Sequence, residues 1–235
     1  MALLTHSIQK DNILLLGDTH SLDFCDLLIH YDLNNFILLV VGDHGEGFLR
    51  SDKNNIEKLN AYCSEHNGYI CLIRGNHSDP EFFNRKHWCN SYENIEFVED
   101  YARKTINNKK FLFVGGATSI DRQVRTAYRD YWPREKFVLP DNYETLEPCD
   151  ILITHSSGIE EFPIEGLSKI AGWFNNDPTL KDELIQEREL IQKLYNQVKP
   201  SIAHFWGHFH EANIQFINGV KQQCLDINEV VSINI

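Results

Sequence analysis

Eight residues suited to metal or acid-base chemistry stand just beyond apolar runs in this chain: Asp18 and His20, Asp43, Asn76 and His77, His155, and His208 and His210. Carboxylate, imidazole and amide oxygen together suit borderline-hard divalent ions such as Mn²⁺, Fe or Zn²⁺, and differ from the thiolates of a structural zinc site. A glycine directly precedes Asp18, Asp43, Asn76 and His208, where close backbone approach or a positive φ lets a chain turn sharply around an ion. In Asp18-x-His20 and His208-x-His210, alternation puts both side chains of a pair on one face if the backbone stays extended.

The apolar runs that must carry these residues are short. Residues 13–16, 36–41, 69–73, 151–154 and 202–206 each read as a strand buried on both faces, and in open α/β sheets the chemistry collects beyond the strands' carboxyl ends. A short helix over 22–31 and a longer one over 52–66, with Asp52 as candidate cap, separate the first three strands. Such strand-helix units imply parallel strands with right-handed crossovers. Past residue 79 the pattern turns antiparallel: strands at 94–99 and 110–115 joined through the turn-forming Asn107-Asn108, and two or three more over 213–235 with Asn218-Gly219 as a hairpin turn. Residues 180–198 carry a stripe near the 3.6-residue period and read as an amphipathic helix closed by Pro200. Residues 158–178 lack periodicity and read as a loop or lid over the site. Arg122, Arg125, Arg129 and Arg134 make a local basic patch. Arg122 and Arg125 are candidates to clamp a substrate phosphate through their guanidinium forks; the bland alternative is a solvated helix face balancing nearby acids. His204, on a buried strand, reads as a satisfied core histidine.

Composition bounds the rest. The 235 residues suffice for one domain over 1–235, since no linker or charge run divides them. With 42% hydrophobic and 24% charged residues, the chain has the balance of a soluble globule. A formal charge of −12 argues against a general nucleic-acid or membrane-surface binder, so any phosphate affinity must be local. The six cysteines form no CxxC pair and point to reduced thiols in a cytoplasm. Neither a secretory leader nor an apolar run long enough to span a membrane is visible.

In order, the blocks GDTH, GDHGE, GNHSD, ITHS and GHFH resemble the motif series of the calcineurin-like metallophosphoesterase family, and the resemblance covers residues 13–210. It implies an α/β fold with α+β elements, a four-layer αββα sandwich of two mixed sheets flanked by helices, and a site for two divalent metal ions, Mn²⁺ foremost. Carried over residue by residue, Asp18, His20 and His210 hold one ion, Asn76, His155 and His208 hold the other, and Asp43 bridges them. His77 then protonates the leaving alkoxide or stabilises its charge. Two departures stand out. The acidic residue that follows this histidine in the family is replaced by Ser78, and the second block lacks the Asp-Arg-Gly extension of the Ser/Thr protein phosphatases, although Arg74 before GNH is shared with them.

Two divalent ions against two aspartates leave a charge of roughly +2, which attracts phosphate to an otherwise acidic protein. The expected activity is hydrolysis of phosphomonoesters by a water activated at a two-metal centre, on a phosphorylated small molecule, nucleotide or phosphoprotein. Phosphodiester hydrolysis, on cyclic nucleotides, nucleic-acid ends or dinucleoside polyphosphates, would use the same metal shell and stays open. So does a non-catalytic metal-bound scaffold for a protein partner, against which the complete ligand set counts.

Overall fold

Alternation inside the apolar runs sends successive side chains to opposite faces, and this builds three core layers from short strands. The computed structural model describes residues 7–47, 51–163 and 168–235. Its strands are β1 (Ser7–Ile8), β2 (Asn12–Leu16), β3 (Phe36–Val40), β4 (Tyr69–Leu72), β5 (Ile95–Phe97), β6 (Ala102–Ile106), β7 (Lys109–Val114), β8 (Ile151–Thr154), β9 (Ala203–Trp206), β10 (Asn213–Ile217), β11 (Val220–Cys224) and β12 (Val230–Ser232). The α-helices are α1 (Cys25–His30), α2 (Asp52–Glu65) and α3 (Leu180–Val198).

The strands form two mixed sheets, ordered β12-β2-β3-β4-β5 and β1-β6-β7-β8-β9-β11-β10. In the first, β2 through β5 are parallel and β12 returns antiparallel to β2. Leu14, Leu16, Leu38 and Val40 pack toward Leu28 of α1 and Ile56, Leu59 and Cys63 of α2. Their neighbours Ile13, Leu15, Ile37 and Leu39 point the other way, against Phe111, Phe113, Ile151, Ile153 and Phe205 of the second sheet. On that sheet's far face Leu112, Val114 and Leu152 meet Ile191, Leu194 and Val198 of α3. The result is the four-layer αββα sandwich. Each fully buried Leu, Ile or Phe contributes about 1.5–3 kcal/mol, so the layer between the sheets locks their relative position and with it the alignment of their strand ends.

Several local expectations change in the structure. Asn107 and Asn108 do turn a hairpin, both with positive φ (46° and 62°), but its first arm is β6, a strand that the apolar pattern did not reveal. Four of the five β6 side chains are only half-buried, so the strand carries little hydrophobic signal. The expected strand near 94–99 is β5, which joins the other sheet in parallel with β4. Helix α1 begins at Cys25, later than expected. The basic patch begins in a 3-10 turn (Arg122–Val124). Within 158–178 the described residues include a 3-10 helix (Ala171–Asn175), while 164–167 fall outside the described residues. Among the described residues no helix is long and apolar enough to cross a membrane.

Candidate metal centre

Five strand ends meet along one edge of the sandwich. Three belong to the first sheet, where β2 leads to Asp18 and His20, β3 to Asp43, and β4 to Asn76 and His77. Two belong to the second, where β8 leads to His155 and β9 to His208 and His210. The loops are stitched to each other by main-chain bonds. The amides of Thr19 and His20 donate to the Asp43 carbonyl at 3.1 and 2.7 Å, and Gly207 donates to the His155 carbonyl at 3.1 Å. Carboxylates continue the stitching, as Asp43 Oδ1 accepts from the His77 amide at 2.7 Å and Asp18 Oδ2 from the His208 amide at 2.9 Å.

The backbone here is not extended, contrary to the reading of the two His pairs. His20, Asp43, His208 and His210 have φ of 51°, 49°, 68° and 52°. A left-handed conformation at a non-glycine residue costs of order 1–3 kcal/mol and persists where the surroundings over-determine it. The donors therefore converge through sharp turns past the strand ends. Glycines make the space. A Cβ at Gly75 would lie 2.0 Å from Asp43 Oδ1, at Gly207 2.0 Å from Asp18 Oδ1, and at Gly42 2.3 Å from His155 Nδ1.

Two groups of donors result, Asp18, His20, Asp43 and His210 in one and Asp43, His155 and His208 in the other, with the donor atoms of each group within 4.8 Å of one another. Asp43 belongs to both. Asn76 stands beside the second group, its Oδ1 3.1 Å from His155 Nε2. The electrostatics fit cations. His155 is buried and donates from Nδ1 to the Val41 carbonyl at 2.8 Å, which leaves the Nε2 lone pair facing Asn76 Oδ1 and, at 3.2 Å, Asp43 Oδ1. A lone pair aimed at two oxygens is tolerable only with a positive charge between them. Without a metal a proton takes that place: burial opposes it, yet the Asp43 and Asp18 carboxylates raise His155 to about 9. Burial pushes His208 well down, and burial also raises Asp18. Despite its own burial, Asp43 is held well below the usual carboxylate range by His155 and His77. In the other group His20 Nε2 lies 3.0 Å from His210 Nε2, which is 3.3 Å from Asp18 Oδ2, while buried Asp18 Oδ1 has no hydrogen-bond partner.

His77 borders this cluster, its Nε2 4.0 Å from Asp43 Oδ2. In place of a carboxylate it meets Arg125, whose Nη2 lies 2.8 Å from Nε2 and Nη1 3.1 Å from Nδ1. Asp121 pairs with Arg125 at 2.7 Å, and the Asp130 carbonyl accepts from it at 3.1 Å. Burial first, then the Arg125 charge, drive His77 down to about 4 against the pull of Asp43. Ser78, at the family's acidic position, accepts the Gly75 amide at 2.9 Å and lies wholly buried. Arg122 goes elsewhere: its guanidinium is bonded to Asp177 and Glu183 at 2.6 Å each, and it does not line the cavity beside the cluster, whereas Arg125 does.

Four residues around the site escaped the reading of the sequence. Ser119 and Glu135 support Asn76, and Glu187 and Arg188 line the adjacent cavity. Glu187 and Arg188 left a trace, since they are buried polar positions lying between Leu184 and Ile191 on the inward side of α3. Ser119 and Glu135 lie on loops with no periodicity to mark them. His204 is buried, with Nδ1 2.6 Å from Glu161 Oε1 and Nε2 2.7 Å from Thr154 Oγ1.

No curated protein matches this sequence. Among solved structures, the chain is similar to the phosphopantetheinyl hydrolase of Mycobacterium tuberculosis at 13% identity and a TM-score of 0.42, with 92% of this chain and 90% of that one covered. It is also similar to a putative 5′-nucleotidase of Staphylococcus aureus (12% identity, TM-score 0.47, 94% of this chain and 50% of that one). A 5′-nucleotidase precursor of Thermus thermophilus gives 11% identity and a TM-score of 0.42, over 93% of this chain and 50% of that one. This chain thus spans about half the length of either nucleotidase. The sequence profile of the calcineurin-like phosphoesterases matches residues 12–212, and with the five strand-end blocks inside that span the chain belongs to this family of metal-dependent phosphoester hydrolases.

Proposed function

We propose that the protein is a two-metal phosphomonoesterase. The observation that carries this reading is the double membership of Asp43 in the two donor groups, because one carboxylate shared by two clusters is what a bridged pair of cations requires. Asp18, His20 and His210 would hold one ion, Asn76, His155 and His208 the other, and Asp43 both. Two divalent ions supply activation of water near neutral pH and neutralise charge on the transferring phosphoryl oxygens. Their identity, Mn²⁺ in our reading, is open to Fe or Zn²⁺ on donor chemistry alone.

The chain's own residues supply the remainder. Arg125, fixed by Asp121, offers a charged donor to a phosphoryl oxygen at the edge of the cluster. His77, neutral near pH 7 in the metal-free protein, is suited to donating an N–H to the departing ester oxygen and so to stabilising its charge. A cavity of about 470 Å³ opens beside the cluster. A monoester has one organic substituent to place and a diester has two, which favours the monoester.

Metal content and turnover test this together. Asp43→Asn is expected to weaken both ion positions, and His77→Ala to retain two ions while turnover of a monoester falls by about 10²- to 10⁴-fold. Two tightly held ions in Asp43→Asn would contradict the bridge. Faster hydrolysis of a diester than of a monoester of the same alcohol would contradict the substrate class.

A further inference from the structure

The cavity beside the candidate metal centre is walled by Ile120, Phe162, Ile170, Trp173, Leu184 and Phe209. All but Leu184 are only half-buried, so their apolar faces have surface left to cover. The charged side chains among the lining residues outside the candidate ligands are already engaged. Asp121 is paired with Arg125 and Lys169 with Glu211. Arg188 donates to the carbonyls of Ser157, Gly158, Glu161 and Pro163, and Glu187 accepts from the Thr118 amide and hydroxyl at 3.1 and 2.8 Å. The six apolar side chains thus give the cavity an apolar wall of a size that suits a small organic group.

We propose that the substrate is a phosphomonoester of an uncharged alcohol bearing an aromatic group, with the ring lodged against Trp173, Phe162 and Ile170 and the phosphate at the ligand cluster. The proposal rests on the phosphomonoesterase reading and narrows it. A second phosphate or an ammonium lodged against these apolar side chains would lose part of its water there. An aromatic ring would instead cover apolar surface on both sides, in offset or edge contact with the aromatic side chains. Arg125 and the ligand cluster anchor the phosphate at one end, which sets the register of the ring at the other.

The test compares two esters of primary alcohols, chosen so that leaving-group reactivity is similar. In Mn²⁺-loaded protein, kcat/KM for 3-phenylpropyl phosphate is expected to exceed that for glycerol 3-phosphate by about 10²-fold. Trp173→Ala and, independently, Ile170→Ala are each expected to shrink that ratio by about 10-fold. Equal values in the unmodified protein, or a preference for glycerol phosphate, overturn the proposal. Binding separates it from the chemistry: 3-phenylpropylphosphonate is expected to bind at least about 10-fold tighter than methylphosphonate by calorimetry. If neither ester is hydrolysed but that affinity gap is present, the phosphomonoesterase reading fails and the aromatic subsite stands. Equal affinities defeat the subsite whatever the turnover.

Discussion

Ser119 Oγ accepts the side-chain N–H of Asn76 at 3.1 Å, and this contact decides which end of the amide faces the donor cluster. With the nitrogen turned to Ser119, Oδ1 is left pointing at His155 Nε2. Ser119 is in turn anchored by its main-chain amide, which donates to Glu135 Oε1 at 3.0 Å. All three residues are buried.

Removing the hydroxyl would leave the Asn76 nitrogen without its partner and the amide free to turn. Groups that orient a ligand typically account for 10- to 100-fold in metal affinity. Ser119→Ala is therefore expected to weaken one of two Mn²⁺ positions by about that factor, read by titration calorimetry. Two positions of unchanged affinity would show that Ser119 does not orient Asn76.

Glu135 offers a pH test of the same region. Burial pushes its carboxyl up to about 7 from an ordinary 4.5, and its Oε2 has no hydrogen-bond partner. The folded state holds this proton more tightly than the unfolded chain, so the contribution to stability is complete below 4.5 and is lost as pH rises through about 7. Relative to Glu135→Gln, the unmodified protein is expected to lose stability between about pH 5 and pH 8. Urea midpoints of the two proteins at each pH give the difference directly, and a constant difference refutes the burial argument.

A glycine pair isolates steric room from backbone flexibility. Gly75 does not have a positive φ, yet an added Cβ would strike Asp43 Oδ1 at 2.0 Å and the Asp43 amide nitrogen at 2.4 Å. Gly172, on the 3-10 helix beside the cavity, would meet nothing within 4 Å. Gly75→Ala is expected to lose ion binding at both positions through the displaced Asp43, and Gly172→Ala to bind as the unmodified protein does. Metal analysis after desalting distinguishes them; retention of both ions by Gly75→Ala would mean that Asp43 is not their shared ligand.

Arg122 is expected to act on stability alone. Its guanidinium joins Asp177 to Glu183 in the first turn of α3, with little exposure on the Asp177 side. Arg122→Ala would leave Asp177 with Gln123 and Thr179 and Glu183 with Lys136 and Thr179, so the loss of its charged hydrogen bonds is expected to cost about 1.5–3 kcal/mol by chemical denaturation, with metal content unchanged. The Arg122 fork holds Asp177 down at about 2. Its stabilisation is therefore full above 3.8 and lost as pH falls through about 2, and the variant should lack that acid-side transition. Loss of bound metal instead of stability would place Arg122 at the site.

Much of this protein could be read without coordinates because its informative features are local. A short apolar run followed by glycine and a donor is visible within about eight residues, and α3 shows its stripe over the span Leu180–Val198. By contrast β6 is barely apolar, so nothing within its own five residues marks it. Arg122 and Arg125 look alike in sequence, three residues apart. Only contacts 48 and 55 or more residues away separate them, one guanidinium lying on His77 and the other on Asp177.

The sequence by itself determined the donor types, their order along the chain and the family, since these depend on residue identity and on spacing within single strand-loop units. Tertiary structure alone decided which sheet carries each donor and that left-handed turns rather than extended strands aim the imidazoles. Those outcomes depend on how the layer between the sheets aligns their ends, a packing result set by side chains scattered from Ile13 to Leu225.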